Sequence, residues 1–348
     1  MINLAVIGLG TWGQRHVRSA RFSKRFKVLV AADPETGRAA PIAEKLDLKF
    51  VSSLDEVLTN PDIDAVTLAT PHTLHTEQIV QAASAGKHVY TEKPLALNAQ
   101  DAHRSILAAK KAGIELVLGH DQRHYPVIVD LKNMIDDGNF GNILHIETNL
   151  SHGSLKRLYK EAFENTDAPL QRRWRLREEE APTGPISQFG IHRVDTFIHL
   201  LGEIEWVFAA GSFRAVHPSI LDTVSITVGF KSGVTGYLGN SLATPLCSRL
   251  QIFGTKKWAE CSGPETFADY RECSLVNLTV FSEEKREVHP YDIIDSVAQN
   301  FTSFADAIEN NASFIITPEQ MIHTIAVVDA IRLSLETGER VTIARFKM

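Results

Sequence analysis

The chain has 348 residues, 44% hydrophobic and 22% charged, with a formal net charge of −6. That length exceeds one ordinary core and makes two domains the expectation, and the acidic balance argues against nucleic acid, which demands a basic face. Cys247, Cys261 and Cys273 are widely spaced and form no C-x-x-C pair, so they are read as packing residues or inert thiols of a reduced cytoplasm, not a disulfide framework or zinc site. The opening MINLAVIGLG lacks a basic leader and reaches glycines too early for a signal peptide. No stretch approaches the roughly 20 apolar residues of a bilayer span. A cytoplasmic protein with no membrane partner is expected.

In chain order, short β-branched runs alternate with helical patterns through the first third: strands Asn3 to Ile7, Lys27 to Ala32, Lys49 to Val51, Ala65 to Ala69, His88 to Thr91 and Leu116 to His120, with helices over Leu74 to Ala85 and Ala99 to Ala112. This alternation predicts a doubly wound parallel sheet covered on both faces, an α/β fold. The first turn reads Gly8-Leu9-Gly10-Thr11-Trp12-Gly13, between an apolar strand and a helix. Gly8 permits the turn, Gly10 lets backbone approach a pyrophosphate, and Gly13 allows close helix packing. Thr11 and Trp12 lie in the same loop, at a helix N-terminus that offers free N–H groups and a positive dipole. The second strand ends at Asp33, about twenty positions past Gly13, where a carboxylate meets a ribose 2′-hydroxyl. The plainer alternative is that Asp33-Pro34-Glu35 only starts a helix. Because a carboxylate repels a 2′-phosphate, Asp33 predicts NAD; nearby Arg38 keeps NADP open as the alternative.

The fourth strand runs into ATPHTLH, and ligands of open α/β sheets sit beyond the carboxyl ends of strands. Thr70, Pro71, His72 and His75 are therefore expected to border the cofactor. The two histidines lack the further ligands a metal site needs, and no metal is expected. The fifth strand ends in YTEKPLALN. Successive residues of an extended segment point to opposite sides, so only one of Glu92 and Lys93 turns toward the ligand. A lysine beside the cationic ring of oxidised nicotinamide has its ammonium form disfavoured, which brings it toward the range of a general base. The alternative is a surface Glu-Lys pair in a loop. Pro94 restricts the backbone here, on a bond that is a candidate for the cis form.

These segments, with QRHYP (Gln122 to Pro126), GPISQFGIHRVDTFIHLLG (Gly184 to Gly202), FGTKKWAE (Phe253 to Glu260) and TGERVTI (Thr337 to Ile343), resemble the Gfo/Idh/MocA oxidoreductases, the group of glucose-fructose oxidoreductase and inositol dehydrogenase. The resemblance spans nearly the whole chain. It implies that Lys93 is the catalytic acid/base, that Glu92 contacts the nicotinamide side of the cofactor, and that the substrate is a carbohydrate, oxidised or reduced at a secondary alcohol or ketone of a sugar, polyol or sugar acid. Two alternatives from the same family are a cofactor-retaining, redox-neutral glycosidase and a non-catalytic dinucleotide-binding sensor.

Past His120 the helices between strands disappear: TVSITVGF and GVTGYLGNS recur with turn signals, which suggests an antiparallel sheet, and helices Ser296 to Glu309 and Pro318 to Glu336 close the chain. The division expected is a Rossmann domain over 1–120 and, over 121–348, a substrate domain with a large, mainly antiparallel open sheet. Asp121 at the boundary joins the expected cofactor set. An exposed sheet face favours a homodimer or homotetramer. At about 100° per residue, Gln188, His192, Asp195 and His199 fall on one stripe of an otherwise apolar helix beginning near Ile186, facing a cleft, other polar groups or solvent. The family's G-G-x-x-x-D-x-x-x-H element overlays this segment and makes His192 the active-site histidine. Thr183 stands where the family has its first glycine, and Gln188 where many members have aspartate. A glutamine transfers no proton but donates to and accepts from sugar hydroxyls, which makes Gln188 a substrate ligand. Asp195 is expected to bind a hydroxyl or orient His192, a purely structural role being the alternative. Arg123 is expected to reach substrate or fix the domain junction. In the charged run QRRWRLREEEAP, the resemblance brings Trp174 and Arg175 toward the cofactor.

Overall fold

In the computed structural model the described residues are 1–154, 159, 177–216, 221–263 and 275–346. The apolar runs of the first third form β1 (Ile2–Ile7), β2 (Phe26–Ala32), β3 (Lys49–Val51), β4 (Ala65–Leu68), β5 (His88–Thr91) and β6 (Leu116–Leu118). All pair in parallel, in the order β3-β2-β1-β4-β5-β6. That order reverses direction between β1 and β4, the switch point at which doubly wound sheets bind dinucleotides. Strands 4 and 6 stop short of Ala69 and His120 because the chain turns there into the loops of the sheet's carboxyl edge.

The intervening helices are α1 (Thr11–Phe22), α2 (Thr36–Lys45), α3 (Leu54–Leu58), α4 (His75–Ser84) and α5 (Ala99–Ala112). Local chemistry sets their ends. The Asn98 side chain caps α5 by accepting from the Asp101 N–H, and Gly113 closes it in the left-handed region at φ 67°. The helix Ser296–Asn310, far along the chain, lies on the same sheet. Its Phe301 stacks on Tyr90 at 4.4 Å, and Asn300 donates to the Tyr90 hydroxyl at 3.1 Å and to the Leu118 carbonyl at 3.0 Å. Phe301 and Phe304 join Leu4, Val6, Val17, Phe26 and Val28 in one buried cluster.

Two compact units result: residues 1–121 with 295–325, and residues 122–294 with 326–347. The segment 295–325 thus belongs with the parallel sheet although it follows the second unit in sequence. Among its described residues the second unit holds nine strands, β7 (Ile143–Ser151), β8 (Ile204–Ser212), β9 (Thr223–Phe230), β10 (Thr235–Ser241), β11 (Cys247–Gly254), β12 (Trp258–Ser262), β13 (Asn277–Phe281), β14 (Arg286–Pro290) and β15 (Val341–Thr342), in the order β14-β13-β12-β11-β7-β10-β9-β8-β15. Only β10 (Thr235–Ser241) and β7 (Ile143–Ser151) pair in parallel; the other neighbours are antiparallel. Alternation along β9 (Thr223–Phe230) buries Val224, Ile226 and Val228 and exposes Ser225 and Thr227, as a sheet covered on one face requires. No helix among the described residues is long and apolar enough to cross a membrane.

Candidate active site

The glycine loop joins β1 to α1. Gly8 has φ 87°, and a Cβ there would lie 2.6 Å from the Ala69 carbonyl oxygen at the end of β4. A Cβ on Gly13 would lie 1.8 Å from the Gly8 carbonyl oxygen, so helix and loop meet only without a side chain. Gly10, by contrast, has nothing within 4 Å of its would-be Cβ, and no side chain caps the first turn of α1. An open approach to helix N–H groups fits a dinucleotide pyrophosphate.

Asp33 follows β2 and is 5% exposed. Its Oδ2 accepts from the Leu9 N–H at 2.8 Å and from Arg38 at 2.7 Å, and its Oδ1 accepts from the Glu35 N–H at 2.9 Å. The carboxylate is thus braced against the glycine loop, and Arg38, which also donates to the Leu9 carbonyl at 3.0 Å, is held by it. We expect Asp33→Ser to narrow any preference for NAD over NADP, because the mutation removes the anion and releases the guanidinium. The ratio of kcat/KM for the two cofactors checks it, and a parent enzyme that already prefers NADP would contradict the assignment.

After β4, Thr70 donates to Gln78 at 2.6 Å. His75, fully buried, places Nδ1 2.7 Å from the Pro94 carbonyl oxygen and Nε2 3.2 Å from that of Thr70. It therefore ties the β4 loop to the β5 loop. Pro71 and His72 are half-buried on that loop, and the His72 and His75 rings meet edge to face at 5.8 Å.

The β5 loop carries Glu92 and Lys93, each 8% exposed, and the Lys93-Pro94 bond is cis. A surface Glu-Lys pair is excluded by that burial. Glu92 accepts from the Lys93 N–H at 3.2 Å and pairs with His16 at 2.8 Å. Burial works against its ionisation, but the hydrogen bond and charge of His16, with the charges of Lys93 and His75, outweigh it and hold the carboxyl below its usual range. Asp121, half-buried, accepts from the Ser296 hydroxyl. Burial pushes its carboxyl up to about 6, with the Ser296 bond opposing and the Glu92 charge adding.

In the second unit Ile186–Gly190 form a π-turn that leads into the helix Ile191–Leu201. A π-turn carries more residues than an α-turn, so Gln188 does not keep the 100° spacing to His192 that a continuous α-helix would give. The stripe also does not face water: Gln188, His192 and Asp195 are 7%, 3% and 1% exposed. Asp195 receives a two-pronged bond from Arg123, at 2.9 and 2.8 Å, with both side chains 1% exposed. The two residues expected to contact substrate pair with each other. His199 is half-buried; burial first, then the Arg123 charge, lowers its imidazole to about 4 against the opposing charge of Asp195.

Two further groups escaped sequence reading. His16 is a lone histidine within a helical pattern, and nothing local signals its bond to Glu92. Arg193, fully buried, donates to Gln122 at 3.1 Å and Ser248 at 2.9 Å. Its neighbours His192 and Val194 drew attention to the helix, but a single basic residue on an apolar helix has no pattern of its own. Trp174, Arg175 and Cys273 lie outside the described residues. Cys247 is exposed and does not pack, and the buried Cys261 thiol is pushed up to about 12, mainly by burial.

A six-strand sheet in this order, with an open glycine cradle at its switch point, is the architecture of a dinucleotide-binding domain. Residues 2–120 match the family model described as "Oxidoreductase family, NAD-binding Rossmann fold", and residues 128–260 match the "GFO/IDH/MocA C-terminal domain". The chain belongs to the Gfo/Idh/MocA oxidoreductase family. It is 32% identical to 2,7-anhydro-N-acetylneuraminate hydratase of Escherichia coli over 59% of this chain and 50% of that protein, so the match spans half of that relative's length. It is 26% identical to 1,5-anhydro-D-fructose reductase of Ensifer adhaerens over 97% of both chains. A solved levoglucosan dehydrogenase, in complex with NADH and levoglucosan, shares the fold with a TM-score of 0.84 at 21% identity, covering 99% of this chain and 100% of that one.

Proposed function

We propose that the protein is an NAD-dependent dehydrogenase or reductase acting on a secondary alcohol or ketone of a sugar, polyol or sugar acid, with Lys93 as acid/base. The observation that carries this reading is the place of Lys93. It lies at the carboxyl end of β5, two strands from the glycine cradle of β1, beside the β4 loop, on a turn that is nearly buried. Bound NAD supplies the hydride acceptor, or when reduced the donor, at its nicotinamide ring. Gly8, Gly10, Thr11, Trp12 and Gly13 hold its pyrophosphate and Asp33 its ribose, with Thr70, Pro71 and His72 lining the next loop. His75 and Asp121 support these loops. In oxidation neutral Lys93 takes the hydroxyl proton as the carbon loses hydride; in reduction the ammonium returns it. His192 hydrogen-bonds the reacting oxygen, and Gln188 donates to and accepts from neighbouring hydroxyls. Arg123 and Asp195 support these residues within the second unit. The reductase relative and the sugar-dehydrogenase fold support the substrate class.

A screen of polyols, aldoses and sugar acids with NAD and NADP, read as absorbance of reduced nicotinamide, tests this. Net reduction with at least one polyol or sugar is expected. Loss of a glycoside or anhydro-sugar with no net reduction would instead support the redox-neutral reading, which the match to a hydratase favours. Neither reaction, with NAD bound, would point to a sensor. We also assign the chain a homo-oligomeric state, supported by the outer sheet face, where Phe208 and Tyr237 are exposed and Phe253, Trp258 and Phe281 stack in a row. Sedimentation at equilibrium tests it.

A further inference from the structure

His16 lies on α1, 76 residues before Glu92 in sequence, and is fully buried. Its Nε2 is 2.8 Å from Glu92 Oε1 and its Nδ1 is 2.7 Å from the Thr67 hydroxyl on β4. A carboxylate only accepts, so Nε2 carries a proton; Nδ1 accepts the Thr67 O–H when it is unprotonated and donates to that hydroxyl when the ring is charged. Three aromatic rings fix the plane of the imidazole: Tyr90 at 5.1 Å, Phe301 at 5.6 Å and Trp12 at 6.3 Å, all edge-on. The other carboxylate oxygen accepts from the Lys93 N–H, and the bare face of Gly119 lies beneath the group: a Cβ there would be 3.3 Å from Oε1 and 3.4 Å from Cδ and Oε2. The carboxylate is thus engaged at both oxygens and closed off on the Gly119 side.

We propose that His16 is a positioning residue for the Lys93 chemistry: it holds Glu92 as an aligned anion beside Lys93 and so sets the proton affinity of that lysine. The proposal rests on Lys93 being the acid/base. The groups that face Glu92 are His16 from α1, Lys93 on the same turn, His75 from α4, the Asp121 carboxyl and the Tyr90 phenol; the last two are made harder to ionise by the Glu92 charge. Without the His16 donor, burial is left to raise the Glu92 carboxyl. Glu92 stays ionised at the pH where a lysine titrates, but a carboxylate without the His16 donor is no longer fixed beside Lys93 and favours its ammonium less, so the limb of alcohol oxidation that needs neutral Lys93 moves to lower pH.

The test uses the full chain with NAD bound. Glutamate carrying 13C at the carboxyl reports the titration of Glu92, identified by the resonance lost in Glu92→Gln. In His16→Leu the midpoint is expected to rise by on the order of one pH unit, and in His16→Gln, whose amide still donates, to stay near the parent. Thr67→Val, close in shape, is expected to shift it in the same direction by less. With the substrate found in the screen, the rising limb of kcat/KM is expected to fall by on the order of one pH unit in His16→Leu and to recover in His16→Gln. Identical Glu92 titrations in the parent and Thr67→Val, and in His16→Leu where it folds, would overturn the proposal. The carboxyl titration needs no turnover, so it stands apart from a failure of Lys93 as acid/base, which full turnover in Lys93→Met would reveal.

Discussion

Lys93→Met is expected to lower kcat by at least about 100-fold, the range a general acid or base contributes, and to change the affinity for NAD by no more than about threefold. Methionine keeps an unbranched, apolar stem in a nearly buried place but carries no exchangeable proton. Most groups proposed to hold the dinucleotide are elsewhere: the glycine loop after β1, Asp33 after β2 and the β4 loop. Binding therefore separates from turnover. Quenching of protein fluorescence by NAD and steady-state rates on the same preparation check both halves. An unchanged kcat would remove Lys93 from the mechanism.

The largest expected effect on stability lies in the second unit. Asp195→Ala leaves the Arg123 guanidinium, 1% exposed, without its carboxylate, and breaking one side of a buried pair costs about 3–5 kcal/mol. Arg123→Met alone removes the cation and leaves Asp195 as the uncompensated charge, so it should cost a similar amount. Combining Arg123→Met with Asp195→Leu removes both charges, and the double variant is expected to be more stable than either single one. Denaturant titration of the four proteins measures this. Additive losses, or a single variant with an unmoved midpoint, would show that the pair is not coupled as its geometry implies.

The contrast between these two residues and the glycine loop shows what was legible in the amino-acid sequence. Alternating apolar runs and helical patterns carried the parallel sheet, because each element is recorded in consecutive residues. Gly8, Gly10 and Gly13 were readable for the same reason: the demand for absent side chains is local, and their spacing is a consequence of one turn. The EKP segment stood out because charge interrupted a buried strand.

The Arg123 to Asp195 pair joins residues 72 apart, and the His16 to Glu92 pair residues 76 apart. Neither partner has a local pattern that names the other. The helix beginning near Ile186 shows a different limit. A fixed 100° per residue treats a helix as uniform, whereas the turn over Ile186–Gly190 is wider, and the polar stripe alone leaves a cleft, other polar groups and solvent equally open where, at Asp195, the Arg123 guanidinium meets it. The helix Ser296–Asn310 illustrates the same limit, since its amphipathic pattern shows a buried face but not that Tyr90 and Leu118 meet it.

The most direct test of the central claim is isotopic. A polyol that reacts in the screen is prepared with deuterium on the carbon bearing the reacting hydroxyl and incubated with the protein and NAD. The account predicts one deuterium at nicotinamide C4 for each ketone formed, in amounts that follow turnover, with Lys93→Met reducing both together. Ketone formation without label on the nicotinamide, or label transfer at the parent rate in Lys93→Met, would contradict it.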